Sequence, residues 1–136
     1  MPLDPRTPVL VGAGQFLHRA GGLDDALDPS TLMAEAVRAA AADAGLATVP
    51  QPDSWRVVSL LSWRYGDPAW VVADRLGLEP RDTAATTMGG NSPQSLVSAT
   101  ALDIAAGRCD LAVLTGGEAW RTRGRARAAG VDMGWP

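Results

Sequence analysis

Three times in this chain an Asp-Pro or Ser-Pro pair opens a helical pattern and a glycine closes it, and each stretch lies between short runs rich in β-branched residues. The helical stretches are "DPSTLMAEAVRAAAADAG" (Asp28 to Gly45), "DPAWVVADRLG" (Asp67 to Gly77) and "SPQSLVSATALDIAAG" (Ser92 to Gly107). Asp28 and Ser92 stand where an N-cap accepts a backbone N–H, proline suits the first turn, and glycine accepts the left-handed residue beyond the last. The strand-like runs are Pro8 to Gly14, Ser54 to Trp63, Asp82 to Met88 and Cys109 to Gly117. Alternation of this kind requires crossover connections and implies a mainly parallel sheet covered on both faces. The expected class is α/β, in the order β-α-β-α-β-α-β.

The first helix carries Met33, Ala36, Val37, Ala40, Ala41 and Ala44 at three- and four-residue steps, a small apolar face suited to close packing on a sheet. The third carries Leu96, Val97, Thr100, Ala101, Ile104 and Ala105 in the same way. In such sheets ligands gather at the carboxyl ends of the strands. Glycines stand there in pairs: Gly12 with Gly14, Gly89 with Gly90, and Gly116 with Gly117. Glycine permits a tight turn, and it also permits close approach of a ligand to the backbone. For Gly89 and Gly90 both readings hold, because a helix N-terminus follows and offers unpaired N–H groups to an anion or a carbonyl oxygen.

Composition narrows the function. The 136 residues are 46% hydrophobic and 20% charged, as in one soluble globular domain. No apolar stretch reaches the ~20 residues of a membrane span, and "MPLDPRTP" lacks the basic start and apolar run of a secretory signal, so a cytoplasmic protein is expected. A single cysteine (Cys109) and a single histidine (His18) indicate neither a disulfide framework nor a metal site. The net charge of −3 argues against general nucleic-acid binding. Arg121, Arg123, Arg125 and Arg127 form a local basic run that reads as a solvated terminal segment over residues 121–136.

Two nucleotide motifs fail. "GAGQFL" follows a strand, yet Leu17 occupies the third glycine position and no helix begins at once, so a pyrophosphate has no helix end to rest on. The chain contains no lysine, which removes the phosphate-cradling loop.

The stretches "PVLVGAGQ", "TLMAEAVRAAAADAG" and "TTMGGNSPQSLVSATALDIAAGRCDLAVLTGGEAW" resemble the N-terminal half-domain of the thiolase superfamily, in its acetyl-CoA acetyltransferase-like branch. The most telling part is the helix ending "IAAG" followed by "DLAVLTGGE". The resemblance runs from about Pro8 to Trp120 and implies a three-layer half-domain over residues 1–120. It implies acyl transfer on acyl-CoA thioesters, with coenzyme A thioester as substrate or ligand and no further cofactor. In that superfamily the acyl group is carried by a cysteine at the start of the elbow helix, where the helix end favours a thiolate and the amides hold an oxyanion. Here that position falls on Gly90 or Gly89, and neither can carry an acyl group. The sequence therefore suggests an incomplete acyltransferase-like protein without its nucleophile, or a non-catalytic acyl-CoA or lipid-binding module, or a dimerising fragment.

The resemblance also implies a second half-domain with its own catalytic residues, of which nothing follows Trp120, and a homodimer through the third strand-like run, "TAATT". Gly89, Gly90, Asn91 and Ser92 are the candidate substrate and oxyanion site. Ser92 is expected to serve as a cap, with a Ser92–His18 nucleophile pair as the weaker alternative. Asn91 suits a left-handed turn or an amide aimed at a thioester oxygen. Cys109 lies at the amino end of a strand, on the edge away from the site, and reads as a small buried residue. Glu118 reads as structural, and Trp63, Trp70 and Trp120 as groove, core or interface residues.

Overall fold

The computed structural model describes residues 1–136. Helix α1 (Pro29–Asp43) leads into strand β1 (Ser54–Val57), helix α2 (Pro68–Arg75), strand β2 (Asp82–Ala85), helix α3 (Ser92–Ala105), strand β3 (Ala112–Thr115) and helix α4 (Trp120–Ala129). The strands form one parallel sheet in the order β2-β1-β3, with Ser54 opposite Asp82 and Ala112 and Val57 opposite Ala85 and Thr115. The α/β class and the parallel sheet are those the sequence implied.

The caps explain where the helices start and stop. Asp28 accepts N–H bonds from Ser30 at 3.2 Å and Thr31 at 3.3 Å, and Asp67 accepts one from Trp70 at 3.0 Å. Gly45, Gly77 and Gly107, just past α1, α2 and α3, take φ of 75°, 68° and 72°, the left-handed region that side chains disfavour.

Pleating sends alternate residues of β1 to opposite faces. Trp55 and Val57 are fully buried among Met33, Ala34, Val37, Ala69, Val72 and Ala73 of α1 and α2. Ser54 and Arg56 point to α3 instead, where Arg56 donates to Thr100 Oγ1 at 2.9 Å and to Asp103 Oδ2 at 2.5 Å. The result is three layers, with the apolar core on one side of the sheet only.

The first strand-like run departs from expectation. Residues 8–14 join no ladder, and Val9, Leu10 and Val11 are 69%, 86% and 62% exposed. β1 pairs directly with both β2 and β3, so the run does not lie between them, and it adds to neither outer edge. It lies on α1: a Cβ at Gly12 or Gly14 would come within 2.3 Å of the carbonyl oxygens of Ala40 or Ala36, and Ala13 N–H donates to Asp43 at 2.9 Å. The alanine face of α1 thus receives bare backbone, while Met33 and Val37 meet the core.

The basic segment keeps its arginines exposed and is helical. Residues 120–129 form α4, closed by Gly130 at φ 65°, with Ala126 buried. Arg123 donates to Leu61 O at 2.7 Å and lies over the Trp120 ring at 5.6 Å.

Candidate functional site

The polypeptide leaves β2 through Thr86 and Thr87 and turns at Gly89–Asn91 into α3, at the carboxyl edge of the sheet. Thr86 N–H donates to Val57 O at 3.0 Å, and its hydroxyl oxygen accepts from Ser59 N–H at 3.0 Å, which ties this exit to the end of β1. A bond from Ser92 N–H to Gly89 O at 3.0 Å closes the turn. The backbone N–H groups of Gly89, Gly90 and Asn91 donate to no protein acceptor. Unpaired amides at the start of a helix form a concavity for negative charge or a carbonyl oxygen.

Gly90 opens on free space: a Cβ there would meet nothing within 4 Å. At Gly89 a Cβ would stand 2.9 Å from Asn91 Oδ1. Of the two glycines at the nucleophile position, Gly90 is the one whose missing side chain leaves room above the elbow.

Two local expectations are corrected. Ser92 is already inside the helix, and its hydroxyl donates back to Thr87 O at 2.8 Å instead of capping. Asn91 is the N-cap residue, makes no side-chain cap bond, and has φ −87° and ψ −8°, so it is right-handed. Proline at the second helical position already removes one N–H that a cap would otherwise satisfy.

Ser92 and His18 are not paired. His18 Nε2 bonds Asp25 O at 2.7 Å in the loop before α1, while the Ser92 hydroxyl is committed to Thr87. Cys109 is buried at 4% exposure before β3, and burial, followed by the nearby Asp53 carboxylate, pushes its thiol above the ordinary value. It is an inert thiol on the opposite edge.

Beside the elbow lies an open cavity of about 520 Å³. Its apolar walls are Val58, Leu114, Pro93, Leu96 and Val97, the last three from the first turns of α3. Glu118 stands on its rim with Gly116 and Gly117. The Glu118 carboxylate accepts from Leu61 N–H at 2.6 Å and Ser62 N–H at 2.8 Å, and Ser62 Oγ accepts from Ala119 N–H at 2.9 Å. Glu118 therefore fastens the loop after β1 to the end of β3, the structural role expected of it. None of the tryptophans lines this cavity: Trp55 is in the core, Trp63 packs edge-on against Trp135 at 5.1 Å, and Trp70 and Trp120 are 45% and 58% exposed.

Sequence reasoning missed the polar bolts behind the site. Arg56 is 9% exposed and bonds Ser54, Thr100 and Asp103, which fixes α3 on the sheet. Arg56 and then Arg108 hold the Asp103 carboxyl below its ordinary value. At the start of α1, Asp28 is 5% exposed and accepts from Tyr65 Oη at 2.6 Å, with Arg75 at 3.2 Å. Burial alone would raise the Asp28 carboxyl; the hydroxyls of Ser30, Thr31 and Tyr65 and the Arg75 charge outweigh it and hold it low. Burial and the bond to Asp28 push the Tyr65 phenol upward. The only signal for these networks in the sequence was an arginine inside a strand pattern.

Fold and elbow together define a thiolase-like half-domain: parallel strands, helices on both faces, and a glycine turn feeding a helix at the carboxyl edge. The chain is similar to the monomeric SCP2-thiolase like protein type 1 from Mycobacterium smegmatis, with 32% identity and a TM-score of 0.70 over 83% of this chain. It spans 24% of that protein's length. No family model matches the chain, and no curated protein does. The helices include none long and apolar enough to cross a membrane.

Proposed function

We propose that this half-domain holds an acyl thioester, of the coenzyme A type, without forming a covalent acyl intermediate. The thioester oxygen sits on the N–H groups of Gly89, Gly90 and Asn91, and the acyl group enters the cavity beside Leu96 and Val97. The observation that carries this reading is the open space at Gly90 beside three unpaired amides. Such amides favour an oxyanion as well as a neutral carbonyl, so the geometry of acyl transfer persists where its acceptor sulfur does not. Ser92 is a poor substitute nucleophile, since its hydroxyl is bonded to Thr87 O and no base adjoins it.

Calorimetric titration with coenzyme A and with a non-hydrolysable acyl-CoA tests the binding. Incubation with radiolabelled acetyl-CoA tests the chemistry, and an acid-stable adduct on Ser92 would overturn the non-covalent reading. On the superfamily resemblance, acyl transfer would belong to cysteine-bearing members of the superfamily, and we assign this chain to the cytoplasm. Self-association belongs to the same proposal, because β2 is an edge strand whose outer ladder groups are unpaired. The solved relative is described as monomeric, so sedimentation at several concentrations decides between the two states.

A further inference from the structure

We infer that the cavity beside the elbow selects a neutral aliphatic acyl group of several carbons over acetyl, with Leu96, Val97 and Leu114 shaping its wall. This rests on the acyl-thioester reading above and goes further by assigning the class of acyl group. Size is the first argument. A volume of about 520 Å³ lies in the range of whole small-molecule sites, and a two-carbon group would leave most of it to water.

The chemistry of the walls is the second. Besides the apolar residues, Ser59, Thr115 and Glu118 line the cavity, and the side-chain oxygens of each already have a partner within the protein. Ser59 Oγ donates to Thr86 O, Thr115 Oγ1 accepts from Trp55 Nε1 at 3.2 Å, and both Glu118 oxygens hold the Leu61 and Ser62 amides. A polar tail laid against Val58, Leu96, Val97 and Leu114 would exchange water for apolar walls, which costs free energy. A carboxylate tail would also face the Glu118 charge. Hydrocarbon meets neither penalty.

The test is calorimetric titration of the protein with thioether analogues of acetyl-, butanoyl-, hexanoyl- and glutaryl-CoA. Burial of one methylene is worth roughly fourfold in affinity when complete, so a rise of roughly two- to fourfold per methylene is expected from acetyl to hexanoyl in this open cavity. The glutaryl analogue should bind more weakly than the butanoyl. Gly116→Val is the matching variant: a Cβ there stands 3.5 Å from Val58 Cβ, an ordinary contact, and Gly116 does not have a positive φ. It should flatten the chain-length dependence with little change in Tm. Val97→Trp, at a position 49% exposed, repeats the measurement if Gly116→Val lowers Tm. Equal affinity for all four analogues, or an unchanged slope in both variants, would overturn the selectivity and leave thioester binding standing. No binding of any analogue would bring down the thioester reading and the selectivity together.

Discussion

On one face of the sheet Trp55 and Val57 vanish completely among Met33, Val37 and Val72, whereas on the other Ser54 bonds Asp82 of β2 and Arg56 meets α3 through hydrogen bonds to Thr100 and Asp103. The apolar face is held by removal of surface from water, which is strong and without direction. The polar face is held by oriented bonds, which fix position while contributing modest net stability. That division suits the site. α3 is located by Arg56 at Thr100 and Asp103, well along the helix, so its first turns need not be sealed against the sheet and the cavity stays open beside Leu96. The same helix leaves Val97 49% and Leu102 67% exposed, although a helix apolar on all sides is ordinarily enclosed. The solved relative, more than three times as long, has chain to spare for such a surface.

The sharpest challenge to the comparison is Trp55→Ala. Its side chain is fully buried, so a loss of about 3–5 kcal/mol is expected in denaturant unfolding, close to the whole stability of a small domain. Arg56→Ala should cost less, about 2 kcal/mol, by leaving Thr100 and Asp103 without their shared donor. It should also weaken acyl-thioester binding, because α3 carries the elbow. A larger loss for Arg56→Ala than for Trp55→Ala would reverse the assignment of the two faces.

Acid and alkali probe the α1 start from opposite directions. The folded Asp28 carboxyl lies below its ordinary value of 3.8, so its contribution is complete above that value and is lost as pH falls through the folded pKa. The folded Tyr65 phenol lies above its ordinary value of 10.0, so its contribution is complete below 10.0 and is lost as pH rises through the folded pKa. Thermal unfolding across pH should show both declines, and Tyr65→Phe should remove the alkaline one while lowering stability by about 1–2 kcal/mol.

The smallest expected effect is at the elbow. Gly90→Cys enters open space and should change stability by no more than about 0.5 kcal/mol. Its thiol, at a helix N-terminus, should titrate below an ordinary cysteine, as iodoacetamide rates against pH would show. A thiol no more acidic than an ordinary cysteine would mean that the elbow amides do not favour negative charge.

The alternation of β-branched runs with capped helices was legible because caps, proline and glycine act within a few residues of themselves: Asp28 bonds Thr31, Asp67 bonds Trp70, and Gly45, Gly77 and Gly107 turn left-handed on their own φ preference. The elbow's place between the second strand and α3 followed from the same local logic. Ser92 misled because serine before proline reads as a cap, while Thr87 O, five residues back, offered its hydroxyl a partner.

What the sequence by itself determined was the α/β layering, the helix ends and the glycine elbow, all of which follow from short-range backbone preference and periodic burial. Tertiary structure decided that residues 8–14 lie on α1 outside the sheet, that Arg56 reaches Asp103 across 47 positions, and that Glu118 clasps Leu61 across 57. Such pairs form only when the sheet brings distant backbone together, and no local pattern records which of the chain's many charges and hydroxyls will meet.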